Sequence, residues 1–307
     1  MIKRTGAYTI AFESRPVIAG WGSVVGKKEA EGPLKNYFDK IIYDSYDGCD
    51  TFEQAESMFQ GEALEKALER SKTHANEVDC VFAGDLLNQC IGASFGLMKF
   101  GIPYLGQYGA CSTMAQSLIM AASAVESGGA KVSACVTSSH FASAERQYRF
   151  PLEYGNQRPP TSQWTVTGAG AALLDTSARR PICRATHVTL GRIVDLAIKD
   201  MNNMGAAMAP AAANTIADFL KDTSSSPSDF DMILTGDLGK VGSRLLCELL
   251  QKDRGIDIES VHADCGLLLY DTEKQDVHAG GSGCGCGASV LNSYIMRRLE
   301  SGELSRV

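Results

Sequence analysis

The sequence predicts a duplicated α/β fold, in which buried strands alternate with helices and the arrangement occurs twice. Three observations carry this. Short apolar runs at 79–84, 131–136 and 231–236 end in small or polar residues and alternate with segments of helical spacing. Asp79, Gly84, Asp85 and Leu86 recur as Asp231, Gly236, Asp237 and Leu238, at one shared offset, 231 − 79 = 152. A glycine turn, a helix and a Glu-Ser-Gly stop follow each other around Cys111 to Gly128, and again from Gly280 to Gly302. The expected units are residues 1–178 and 179–307.

Residues 1–50 carry glycines at 20, 22, 26 and 32 and the polar stretch KKEAEGPLKN, which reads as one or two strands and an exposed loop. From Thr51, a capping residue, apolar positions at helical spacing predict a helix to Ser71. DCVFAG, 79–84, is a short buried strand, and Asp85 to Gln89 follow it at the carboxyl end, where open α/β sheets place their ligands. GIPYLGQYGACSTMAQSL then sets Cys111 on a sharp strand-to-helix turn, with a helix to about Val125. Such a turn exposes the thiol beside the free N–H groups of a helix start, which favours a thiolate. The ordinary alternative is a cysteine acting as a small hydrophobe beside a glycine turn.

Lys131 to Val136 is a second buried strand and leads into Thr137, Ser138, Ser139 and His140. The stretch AERQYRFPLEYGNQRPP, with its prolines and glycine, argues against regular structure. WTVTGAGAALL, 164–174, returns to a strand, and Gly168, Ala169 and Gly170 let another backbone or a ligand approach closely. Further along, 186–195 reads as a strand, 204–220 as an alanine-rich helix and 231–236 as a buried strand. Gly280 to Gly287 reads as a turn before a helix over 288–299. Because the first copy continues past its stop into a core strand, the reading expects C-terminal strands to be missing from this sequence.

With 307 residues, 44% of them hydrophobic, the chain can fill a substantial core. A net charge of −7 argues against a nucleic-acid partner. No apolar stretch approaches the roughly 18 residues of a membrane span, and the N-terminus is a poor signal peptide. Ten cysteines in a chain this long read as reduced core thiols.

Cys111 needs a base to act as a nucleophile. Of the five histidines, His140 is placed best, at the carboxyl end of the strand after the Cys111 helix. An exposed loop histidine is the plain alternative. His262, Cys265, His278, Cys284 and Cys286 match no zinc spacing, so no metal site is expected. Asp85 and Asp237 can be helix N-caps, although Asp85 with Asn88 is also placed to reach the Cys111 pocket. Arg146, Arg149 and Arg158 either attract an anion or solvate a loop.

The GACS elbow and the TVTGAGAALL strand, in a duplicated α/β layout, resemble the thiolase-like superfamily, which includes the ketoacyl synthases. FAGDLLNQ, SSHFASAERQYRFPLEYGNQRP, MGAAMAPAAA, ILTGDLGKVGS and AGGSGCGCGAS, among other stretches along the chain, are similar to the stage V sporulation protein AD family. The superfamily resemblance implies a five-layer αβαβα fold, two five-stranded halves, a homodimer, and a site at the junction with Cys111 in the nucleophile position. The strand end that carries a histidine in ketoacyl synthases here reads Thr235-Gly236-Asp237-Leu238, and the Gly-Asn motif is matched by Gly281-Ser282-Gly283-Cys284. Loss of such groups costs orders of magnitude in rate.

The family resemblance therefore implies a non-catalytic protein that binds dipicolinic acid, alone or as its calcium chelate, for uptake during sporulation and release in germination. It would sit at the spore inner membrane or forespore membrane through channel-protein partners. Cys111, Ser112, His140, Asp85, Asn88 and Gly168 are the expected ligand-binding residues, with no metal ligand and no resident cofactor. The alternative is an active acyltransferase that uses Cys111.

Overall fold

The computed structural model describes residues 2–14, 16–148, 158–176 and 181–307. Four strands precede the first long helix: β1 (Ile2–Arg4), β2 (Thr9–Phe12), β3 (Val17–Gly26) and, after the single turn α1 (Lys27–Ala30), β4 (Lys40–Ile42). This is more strand than the glycines of that region predict. The glycines serve packing: a Cβ at Gly20 or Gly22 would lie 2.4 or 2.3 Å from a backbone oxygen of the next helix. That helix, α2 (Phe52–Ser71), starts where expected, with a reciprocal capping box between Thr51 and Gln54.

The chain continues through β5 (Cys80–Gly84), α3 (Ile91–Leu97), β6 (Tyr104–Gly106), α4 (Thr113–Glu126), β7 (Val132–Ser139) and α5 (Phe141–Tyr148). The helix α5 corrects the irregular loop expected there. FASAERQY is rich in helix formers and the prolines come only afterwards, while Arg149 lies outside the described residues. Next come β8 (Trp164–Thr165), β9 (Gly168–Asp175), β10 (Cys183–Arg184) and β11 (His187–Thr189). The strand expected over 186–195 is thus only three residues long. Beyond it lie Gly191 and Ala197, the latter with φ of +59°, and neither suits an extended ladder.

The second copy follows as α6 (Met204–Thr223), β12 (Ile233–Thr235), α7 (Gly239–Arg254), β13 (His262–Asp264), α8 (Cys265–Leu269), β14 (Gly281–Ser282), α9 (Cys284–Val290) and α10 (Met296–Glu300). Here the helix after the glycine turn starts at Cys284, not Ala288, and a π-type turn over 291–295 joins α9 to α10.

One sheet runs β10-β3-β9-β7-β5-β6, with β4 on β3; β5 pairs in parallel with both β6 and β7. β10 follows residue 178 in the chain but pairs with β3, while β11 joins β1 and β2 in a separate three-stranded sheet. The second copy contributes a two-stranded parallel sheet, β12-β13, where the resemblance implies five strands.

The duplication is visible in register. Val81 pairs with Tyr104 in the first copy, and Ile233 with His262 in the second. The Asp79 carboxylate accepts the N–H groups of Lys131 and Val132, and the Asp231 carboxylate those of Ser305 and Arg306.

The layers follow from burial. Phe59 and Leu64 of α2 with Ala93 of α3 cover one face of the large sheet. Met114 and Ala121 of α4 with Ala288 of α9 cover the other. Cys286 and Val290 of α9 also pack against Leu234 of β12, whose other face meets Ala209 and Leu246 of α6 and α7. The order is therefore α, β, α, β, α. Strand 231–236 is only half-buried, not fully buried as expected. All ten cysteines are free thiols, and among the described residues no helix is long and apolar enough to cross a membrane.

The close approach expected at 168–170 is made by a backbone: a Cβ at Gly170 would lie 2.2 Å from the carbonyl oxygen of Ala288. Gly170→Ala is accordingly expected to destabilise the protein by about 1–3 kcal/mol in urea unfolding, the usual cost of overpacking. Gly129→Ala, whose nearest neighbours are 3.5 Å away, is expected to be near neutral.

Candidate functional site

After β6 the chain passes through Gly109 into Ala110, whose φ of +46° is a left-handed conformation costing an alanine about 1–2 kcal/mol. Three hydroxyl hydrogen bonds hold this elbow. Ser112 Oγ donates to Gly109 O at 2.7 Å and Thr113 Oγ1 to Ala110 O at 2.7 Å, while Gly109 N–H donates to Thr113 Oγ1 at 3.1 Å. The expected elbow is therefore present, and it carries Cys111 to the junction between the two copies.

There Cys111 shares a cavity with Gly283, the residue before α9, and feels the charge of Asp237, just past the end of β12. Gly283 has φ of +91° and donates its N–H to Asp237 Oδ2 at 2.9 Å. Gln163 ties the same corner by donating Nε2 to Asp237 O and Gly281 O, both at 2.7 Å. Burial pushes the Asp237 carboxyl up to about 6, partly offset by its bonds to Cys111 and Gly283.

Burial, then the Asp237 carboxyl, holds the Cys111 thiol well above the ordinary thiol range. This corrects the expectation that the helix start favours a thiolate. A helix terminus is worth about 0.3–1 kcal/mol, too little to offset the desolvation of a buried thiolate, and the Asp237 carboxyl opposes a second negative charge besides.

A cavity of about 300 Å³ opens above the thiol. Among the residues that line it are Cys111, Ser282 and Gly283, Glu145 and Tyr148 of α5, and Ser162, Gln163, Thr165, Met201 and Asn202. No lysine, arginine or histidine is among the described residues lining it. A wider hollow of about 600 Å³ lies on the outer surface between Thr51, Met58 and Phe95, away from the cysteine elbow.

Of the six residues expected to bind ligand, only Cys111 lines the cavity. His140 is 2% exposed and both ring nitrogens are occupied: Ala142 N–H donates to Nδ1 at 3.2 Å, which leaves Nε2–H to donate to Ser45 O at 2.9 Å. Burial lowers its pKa, so it is a neutral core histidine. Ser112 is spent on the elbow. Asp85 is buried and accepts the N–H groups of Leu87 and Ala93 at 2.8 and 2.7 Å, the capping alternative. Asn88 is exposed and bonded to Gln147. Gly168 lies beneath α9, where a Cβ would sit 2.6 Å from Ser289 Oγ.

Arg146 pairs with Glu53, and Arg158 with Asp276. Among the described residues no group of three or more histidines, cysteines and carboxylates could hold a metal ion. Gln163, Tyr148 and Asn202 carried no sequence signal. Asp237 did, because the shared offset makes it the counterpart of Asp85.

Beneath the cavity, behind Leu86, Ala144 and Cys284, lies a buried polar network. Ser138 Oγ and Ser143 Oγ donate to the two Glu56 oxygens at 2.9 and 2.7 Å, and Gln60 Nε2 donates to Ser138 Oγ at 2.8 Å. Burial, then the nearby Asp85, pushes Glu56 up to about 8. The folded chain thus holds a proton that the unfolded chain releases above about 4.5. Stability from this group is therefore full at low pH and is lost as pH rises through about 8. Denaturant titrations between these limits should show that loss, and Glu56→Gln should flatten it.

The sequence model of the stage V sporulation protein AD family matches residues 6–307. Stage V sporulation protein AD of Bacillus subtilis (strain 168) is 42% identical over 306 residues, covering 100% of this chain and 89% of that protein. Among solved structures, a variant of OleA from Xanthomonas campestris superposes with a TM-score of 0.64 at 14% identity, over 96% of this chain and 93% of its own. Cerulenin-bound OleA gives 0.62 at 15% identity, over 95% and 90%. A priming β-ketosynthase of a polyketide pathway gives 0.53 at 15% identity, over 91% and 86%. These likenesses show the thiolase-like fold alone. By its sequence, then, the chain belongs to the stage V sporulation protein AD family.

Proposed function

We propose that this sporulation protein binds dipicolinic acid, alone or as its calcium chelate, in the cavity above Cys111, and does not turn it over. The observation that carries the reading is a cavity over an uncharged thiol, with no described histidine, lysine or arginine on its walls. A condensing enzyme needs that thiol activated. Here the strand end that would face it bears Asp237, and the candidate histidine, His140, is bonded into the core. The volume suits a flat pyridine ring with two carboxylates, and Ser282, Thr165 and Asn202 bring hydroxyl and amide groups to the walls.

The carboxyls of Glu145 and Asp237 oppose a free dianion. Neutralisation by calcium carried with the ligand, or by protonation of Asp237, relieves that opposition. The biological setting that fits is dipicolinate movement into the spore during sporulation and out of it in germination. In that setting the protein is held at the spore inner membrane by channel proteins, its partners.

A homodimer completes the reading. β6 is the edge of the large sheet and its three residues are all exposed, with Ile91 and Phe95 of α3 and Met98 just after it exposed close by. An apolar unpaired edge is a template for a second copy of itself.

Two outcomes are expected. Calorimetric titration with dipicolinate should saturate, and its affinity should rise as pH falls from above 7 to below the Asp237 value of about 6; no saturation at millimolar ligand would remove the reading. Leu105→Lys should convert a dimer to monomers in light scattering, and a wild-type monomer would refute the paired edge.

A further inference from the structure

We propose that Cys247 is a thiol-exchange site, a nucleophile served by His262 as its base, and that it takes up a small disulfide carrying no negative charge. Strand alternation brings the groups together. Leu234 and Ala263 pack on the α9 side of the β12-β13 pair, so Ile233, Thr235, His262 and Asp264 face α6 and α7. Cys247 of α7 lies against this face, with Sγ 3.9 Å from His262 Nδ1. None of these residues lines the Cys111 cavity.

The hydrogen bonds fix the tautomer of the ring. Asp264 accepts the N–H groups of Leu238, Gly239 and Gly266 at 2.8, 3.0 and 3.1 Å, as a carboxylate does. Thr235 Oγ1 has a single proton, and the Asp264 carboxylate at 2.7 Å is a nearer acceptor for it than Ala263 O at 3.3 Å. Toward His262 Nε2, 2.9 Å away, the hydroxyl therefore accepts, and Nε2 carries the ring proton. Nδ1 is left with its lone pair, on the side of the sulfur. A nucleophile, a base and a third group that orients the base make the arrangement that activates a thiol. The sulfur–nitrogen contact is long, as such contacts often are before a substrate tightens them.

The groups that titrate around His262 are Asp264 beside it, Cys247 on α7, and Asp257 and Glu259 on the turn before it. Burial lowers the His262 pKa against the pull of Asp264, while burial, then Glu259 and Asp257, push the Cys247 thiol up. The resting pair is a neutral thiol and a neutral imidazole, so the proton moves only as the sulfur attacks. Cys247 S–H gives its proton to His262 Nδ1, and the Cys247 sulfur bonds to one sulfur of the disulfide. The disulfide bond breaks, and the departing thiolate takes the proton back from His262. The products are a mixed disulfide on Cys247 and one free thiol. Asp257 and Glu259 are exposed on the turn that His262 N–H closes onto Ile258 O at 2.8 Å, and they repel an anionic disulfide.

Cys49 is the internal control. It too is half-buried, and burial and nearby aspartates push its thiol up, but its sulfur donates to a backbone carbonyl, Asp47 O at 3.8 Å, and not to a base. The test is the rate of mixed-disulfide formation at each cysteine with dithiodipyridine, cystamine and oxidised glutathione, read by peptide mass spectrometry. At neutral pH, dithiodipyridine should modify Cys247 at least about tenfold faster than Cys49, since a positioned base contributes about a hundredfold or more. Cystamine should outpace oxidised glutathione at Cys247. The Cys247 rate should fall only below about pH 6.5, where the imidazole is protonated, and His262→Gln should abolish that limb and slow Cys247 about tenfold. Thr235→Val should slow it as well, and Thr235→Ser, which keeps the hydroxyl, should not. Equal wild-type rates at Cys247 and Cys49 would overturn the proposal whether or not any variant folds. So would an unchanged Cys247 rate in His262→Gln, or faster reaction with oxidised glutathione than with cystamine.

Discussion

The structure depends on the docking of α9 against the sheet of the first copy. The contact is backbone on backbone: Gly170 lies under the Ala288 carbonyl, and Gly285 under Ser139 Oγ and the Gly168 carbonyl, where a side chain would clash. Ser139 Oγ donates to Val166 O and accepts Gly285 N–H, so a single hydroxyl fastens β7, the turn before β9 and α9. Only glycine permits this spacing, and the glycine-rich stretch 280–287 is there for that purpose as much as for turning. With α9 seated this way, Gly283 N–H and Asp237 are delivered to Cys111. The same contact that joins the copies therefore composes the site.

Much of this was legible in the sequence because it is written in local patterns. The Thr51 cap, the strands at 80–84 and 132–139 and the cysteine elbow each follow from residue types at short spacing. The repeat was legible because Asp79, Gly84, Asp85 and Leu86 recur 152 residues on, and α2 and α6, both 20 residues long and beginning at Phe52 and Met204, keep the same offset. The helix over 141–148 was not, because the prolines beyond it dominate that window. The start of α9 at Cys284 was not, because glycine in a helix is locally unfavourable and only the tertiary contact reverses that preference.

The site was legible in its centre and not in its surroundings. Cys111 stands where its motif puts it, but proximity at one sheet edge did not bring His140, Asp85 and Asn88 into the cavity. His140 turned inward because Ser45 O and Ala142 N–H satisfy its ring, a choice made by a loop nearly a hundred residues away. The walls come from α5, 162–165 and 201–202, segments none of whose lining residues was singled out as a ligand. Helix-dipole reasoning assigned Cys111 a thiolate, and burial, then a carboxylate supplied by the other copy, reversed the sign. Residues that act across a pseudo-symmetric junction escape a reading confined to one copy.

The chain is accordingly a member of a sporulation family whose thiolase-like fold retains the elbow, while the thiol on it is neutral. The central claim is that the cavity above that thiol holds a flat aromatic diacid. A crystal structure of the protein grown with saturating calcium dipicolinate tests it most directly. The account predicts ring density between Cys111, Gln163 and Asn202, with no covalent bond to sulfur. A cavity filled only by solvent at saturating ligand, or a ligand seated elsewhere on the protein, would contradict it.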